Sequence, residues 1–79
     1  MITKNIMLEG INDVKEFVNI VSKYDFEADL RSGRYAVDAK SIMGIFSLDL
    51  TKEIVLEIHA DEDDESVDSF LESIKIFIK

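Results

Sequence analysis

Lys40-Ser41-Ile42-Met43-Gly44-Ile45-Phe46-Ser47-Leu48 is the stretch on which the fold turns. Read by period, Phe46-Ser47-Leu48-Asp49-Leu50 alternates like a strand, whereas Ser41 ahead of an apolar run has the chemistry of a helix N-cap. Pattern alone leaves both readings open. The run is also too apolar on all sides to lie unused on the surface of a small domain, which points to a docking patch with a modifiable hydroxyl at its edge.

Working outward, Phe26, Ala28 and Leu30 alternate with Glu27, Asp29 and Arg31, and Ser32-Gly33 supplies a turn before Tyr35, Val37 and Ala39 resume the alternation. This pattern predicts a hairpin. Further upstream, Val14, Phe17, Val18 and Val21 recur at helical spacing, with Asn12 or Asp13 as N-cap, so a helix is expected to about Lys23. Ile2, Lys4, Ile6 and Leu8 alternate as a first strand. Downstream, Ile54, Leu56 and Ile58 alternate with Val55, Glu57 and His59, and the acidic block Asp61–Glu65 suits the start of a helix, where carboxylates meet the positive end of the backbone dipole. Val67, Phe70, Leu71, Ile74 and Phe77 or Ile78 supply that helix's apolar stripe. The order β-α-β-β-(41–48)-β-α suggests a four-stranded antiparallel sheet with helices on one face. Phe17, Val18, Val21, Leu30, Val37, Leu56, Ile58, Phe70, Leu71 and Ile74 should share its core.

With 79 residues and no proline, repeat or low-complexity tract, one folding unit over 1–79 is expected. No cysteine is present, which removes disulfides and thiolate chemistry and fits a reducing cytoplasm. Charges interrupt the apolar stretches well short of a membrane helix, and the first five residues do not form a signal peptide, so a soluble cytoplasmic protein without membrane partners is expected. The net charge of −8 repels nucleic acid and anionic lipid and favours a basic or mixed protein surface as partner.

The stretch from Ser22-Lys23-Tyr24-Asp25 through Lys40-Ser41-Ile42-Met43-Gly44 resembles, without a gap, Gram-positive HPr, the small phosphocarrier of the bacterial sugar phosphotransferase system. The similarity extends from about Leu8 to Asp64. It implies that 41–48 is a short helix, and hence an HPr-like α+β open-faced sandwich of order β-α-β-β-α-β-α over a single domain. It also implies that Ser41 matches the serine modified by HPr kinase/phosphorylase, and that Ile42, Met43 and Phe46 match the apolar residues touched by that kinase and by transcription-regulator partners. Ile45 and Leu48 are the natural inward residues of the segment.

The family's carrier stretch, Gly-[Leu/Ile]-His-Ala-Arg-Pro, meets Glu9-Gly10-Ile11-Asn12-Asp13-Val14. In the ungapped register the carrier histidine falls on Gly10, the phosphate-holding arginine on Asn12 and the proline on Asp13. No histidine, arginine or proline occurs between Leu8 and Tyr24. A phosphohistidine carrier needs an imidazole nitrogen at a helix start and a cation to offset the incoming charge; glycine, asparagine and aspartate provide neither. The resemblance therefore implies a regulatory or adaptor protein similar to the catabolite-repression HPr-like proteins, which also lack the histidine, and not an enzyme. Those proteins retain the arginine that Asn12 replaces, so their particular regulator does not transfer. Asp49, where family members often carry glycine, adds a charge beside the patch. The alternative is a divergent interaction module of the same fold with no phosphorylation.

His59 is the only histidine. It shares a strand face with Val55 and Glu57, and a metal site would need further ligands converging on it, so an exposed or half-exposed sheet histidine is expected and no metal. The block Asp61–Glu65 is continuous and lacks the alternate spacing and central glycine of a calcium loop. No cofactor is expected.

Overall fold

A computed structural model describes all 79 residues, Met1–Lys79. The elements are β1 (Ile2–Ile6), α1 (Ile11–Val21), β2 (Glu27–Ser32), β3 (Tyr35–Asp38), α2 (Ile42–Phe46), β4 (Ile54–His59) and α3 (Glu65–Ser73), followed by a 3-10 turn at Lys75–Phe77. The strands form one antiparallel sheet in the order β1-β4-β2-β3, covered on one face by the helices as an α+β open-faced sandwich. Segment 41–48 is therefore helical over Ile42–Phe46, and Ile45 and Leu48, three residues apart, turn inward, while Phe46 of the strand-like alternation is exposed.

Alternation along β2 and β4 sorts the side chains. Ala28, Leu30, Ile54, Leu56 and Ile58 are buried, while Asp29, Arg31, Glu57 and His59 project from the open face. Against the covered face pack Val14, Phe17 and Val21 of α1 and Val67, Phe70 and Ile74 from α3 and its end. Phe70 is the hub of the aromatic contacts, meeting Phe17 edge-on at 6.3 Å and both Tyr24 and Phe26 at 5.3 Å between ring centroids. Such offset contacts suit the quadrupoles of the rings.

Several sequence expectations need correction. α1 is capped by Gly10, with φ +126°, and neither Asn12 nor Asp13 is its N-cap. The hairpin loop is Gly33-Arg34, since Ser32 pairs with Tyr35; only Gly33 takes positive φ, at 60°. Val18, Val37 and Leu71 are only partly buried, because each lies at the margin of its element's apolar stripe. Of the closing stripe, Phe77 and Ile78 are not helical residues of α3. The α-helix ends at Ser73, Phe77 is buried from the 3-10 turn, and Ile78 forms an antiparallel bridge to Ile6. The backbone N–H of Met7 donates to Phe77 O at 2.8 Å and that of Lys79 to Asn5 O at 2.9 Å. The chain end thus satisfies part of the outer edge of β1.

Candidate docking and modification site

Ser41 is held from both sides. The Asp38 carboxylate accepts the backbone N–H of Lys40 at 2.8 Å, and the Lys40 ammonium donates to Tyr24 O at 2.8 Å, tying the approach to α2 onto the end of α1. Ser41 then takes an extended conformation, φ −102° and ψ 105°, and its Oγ accepts the Gly44 N–H at 3.2 Å. This is the N-cap arrangement expected of a serine opening a helix. Ser47 closes the helix by donating its hydroxyl to Gly44 O at 2.6 Å.

The short helix divides its apolar residues between two faces. Ile45 and Leu48 enter the core, whereas Met43 is 77% exposed and Phe46 39% exposed. Ile42 is half-buried and lines a shallow hollow with Lys15, Glu16, Val18, Asn19 and Ser22 of the α1 side. Ser41, Ile42, Met43 and Phe46 therefore occupy one short segment whose outward surface is apolar. Adjacent to it, Asp49 accepts both the hydroxyl and the backbone N–H of Thr51. The Thr51 hydroxyl first, then its N–H and the charge of Lys52, hold the Asp49 carboxyl below the ordinary aspartate range, with slight desolvation opposing them. A fixed negative charge thus stands just beyond α2.

At the start of α1, Gly10 offers no side chain, and the space where a Cβ would project holds no atom within 4 Å. Asn12 is exposed. Asp13 reaches back one turn, and its Oδ2 accepts the Glu9 N–H at 2.9 Å. A carboxylate at this position satisfies a donor just ahead of the helix, in the manner of the reciprocal cap formed by an acidic third residue. Gly10, Asn12 and Asp13 are thus gathered at one helix start, whose hollows are also lined by Met7, Glu9 and Lys79 on one side and Leu50 and Thr51 on the other.

His59 is exposed on the open face, as its alternation implies. The expectation that no other donor converges on it does not hold. Its Nε2 lies 2.9 Å from Asp29 Oδ2, and the donor atoms of Asp29, Glu57 and His59 all lie within 4.8 Å of one another. Asp29 was invisible to sequence reasoning as a neighbour because it comes from β2, placed beside β4 only by the sheet register. Asp64, within the acidic block, caps α3 by accepting the Ser66 hydroxyl and N–H, which lower its pKa against slight desolvation.

The family model described as "PTS HPr component phosphorylation site" matches residues 13–79, a range that begins after Gly10 and Asn12. No curated protein matches the chain. Among solved structures, HPr-C-His from Thermoanaerobacter tengcongensis superposes with a TM-score of 0.74 at 24% identity, over 95% of this chain and 92% of that one. The phosphocarrier protein HPr from Bacillus anthracis gives 0.67 at 18% identity, over 91% and 94%. The histidine-containing phosphocarrier protein from Mycoplasma gives 0.68 at 14% identity, over 99% and 97%. These structures share the fold, and the family model spans most of the sequence, from the first turn of α1 to Lys79. The chain belongs to the HPr family of the phosphotransferase system.

Proposed function

We propose that this protein is a regulatory or adaptor member of its family, carrying no phosphoryl group on histidine and presenting Ser41 with Ile42, Met43 and Phe46 to protein partners. The observation that carries the reading is the pairing of an N-cap hydroxyl at Ser41 with the exposed side chains of Met43 and Phe46 on the same five-residue helix. An exposed methionine adapts its shape to a partner at little cost, and the ring adds a larger apolar contact. Loss of histidine transfer is supported by the absence of a side chain at Gly10, of a cation at Asn12, and by the Asp13 carboxylate already bonded at the helix start. A phosphoryl group brought there would meet a like charge.

HPr proteins are carriers and not catalysts, and no residue of this chain is assigned an enzymatic role. The partners that fit are an HPr kinase/phosphorylase or a transcription regulator; nucleic acid and anionic membrane are disfavoured by the net charge of −8. No helix is long and apolar enough to cross a membrane. A single domain over 1–79 working in the cytoplasm completes the reading.

The test is incubation with an HPr kinase and ATP. Transfer of the γ-phosphoryl group to Ser41 Oγ, with release of ADP and the hydroxyl proton, should add one acid-stable phosphoryl group by intact mass, and Ser41→Ala should abolish it. An unmodified wild-type protein beside a genuine HPr phosphorylated by the same kinase would leave Ser41 as a helix cap. The fixed charge of Asp49 beside the patch favours that second reading, a divergent interaction module without phosphorylation.

A further inference from the structure

The open face of the sheet carries a mixed nitrogen and oxygen donor set. In the β2–β4 register Asp29 stands directly opposite Glu57, and Glu27 opposite His59. Two carboxylates facing each other across neighbouring strands repel, and nearby cations relieve that repulsion. Two side chains lie against this pair. Arg31 donates to Glu57 Oε1 at 3.3 Å on one flank, and His59 Nε2 lies 2.9 Å from Asp29 Oδ2 on the other.

We propose that Asp29, Glu57 and His59 form a binding site for a divalent transition metal of the zinc class. Their donor atoms already lie within 4.8 Å of one another, and ligand atoms around tetrahedral zinc stand about 3.4 Å apart, so modest side-chain rotation closes the site. The backbones need not move, because all three residues sit on paired central strands. One imidazole and two carboxylates suit zinc and its neighbours better than magnesium or calcium, which prefer oxygen throughout. Water would complete the coordination. On binding, His59 Nε2 exchanges its contact with Asp29 for the metal, its proton passing to Nδ1 or to solvent, and Arg31 is the competing cation for Glu57.

The experiment is isothermal titration of the untagged full chain with zinc chloride in a non-chelating buffer, with magnesium chloride as control. One zinc per chain is expected, with no saturable magnesium binding at the same concentrations. His59→Gln, Asp29→Asn and Glu57→Gln should each weaken zinc at least tenfold, while Arg31→Gln should tighten it by removing the competitor. The His59 ring resonances should shift on zinc addition in nitrogen-resolved NMR spectra. Absence of saturable zinc binding, or unchanged affinity in His59→Gln, would overturn the proposal. So would binding that depends on His59 but is indifferent to both Asp29→Asn and Glu57→Gln, since the carboxylate ligands would then lie elsewhere, with Glu27 opposite His59 the first candidate.

Discussion

Gly44 lies against Val37 so closely that a methyl group at its Cα would stand 3.1 Å from Val37 Cβ and 3.2 Å from Ser41 Oγ. Replacing a helical glycine by alanine ordinarily gains about 1 kcal/mol. Here the added carbon presses on the cap hydroxyl and on β3, so Gly44→Ala should yield no gain in thermal midpoint. A rise of several degrees would show that Val37 and Ser41 yield freely and that the cap is not tightly held.

Histidine-type phosphotransfer should be absent. Enzyme I with phosphoenolpyruvate is expected to leave the intact mass unchanged, because Gly10 has no nucleophile and Asp13 already occupies the Glu9 donor. A rapid, acid-labile gain of one phosphoryl group would contradict this.

Phe70 is fully buried among three other rings, and Phe17 bridges it to Phe77. Truncation of Phe17 or Phe70 to alanine should cost about 3–5 kcal/mol in chemical denaturation. Leu71→Ala should cost less than either, since Leu71 only borders the core. Equal losses would mean that the face of α3 turned inward is wrongly assigned.

Met43→Glu separates docking from folding. Met43 is exposed, so the substitution should leave the thermal midpoint nearly unchanged while slowing modification of Ser41 by a kinase, through a charge placed in the contact. A collapse in stability would instead place Met43 in a structural role.

The pH dependence follows from Asp64 and Asp49, both lowered below the ordinary aspartate value of 3.8 chiefly by hydroxyl hydrogen bonds. A depressed folded-state pKa stabilises the fold above the unfolded value and loses that contribution as pH falls through the folded one. Asp64→Asn should therefore reduce the loss of stability below about pH 4. An acid limb identical to wild type would show that the Ser66 contacts do not survive in solution.

Most of the fold was legible because its elements carry clean periods: two for Ala28–Leu30 and Leu56–Ile58, and near 3.6 for Val14–Phe17–Val21. The stripe running to Ile78 misled because an apolar spacing of three or four continues unchanged from an α-helix into a 3-10 turn and a bridge. The cap of α1 was hidden for the opposite reason. Gly10 acts through backbone freedom at φ +126°, and offers no side chain to signal it. Along α2 the cap at Ser41 and the outward position of Met43 and Phe46 were readable from local chemistry together with family resemblance. The neighbourhood of His59 was not, since the approach of Asp29 depends on which strands lie side by side.

The sheet order also governs when the molecule can form. β1 pairs only with β4 and the bridge from Ile78, joining Ile2 to Ile58 and Ile6 to Ile54. Residues 2–6 are synthesised before their partner strand, which follows some fifty residues later. Contacts of such high sequence separation form slowly because the intervening loop must close first. The β2–β3 hairpin and α1 can assemble during synthesis, while Ile2 and Ile6 stay without their strand partners until β4 emerges. Nascent chains stalled before Ile54 should therefore present these residues to chaperones, and release past His59 should withdraw them.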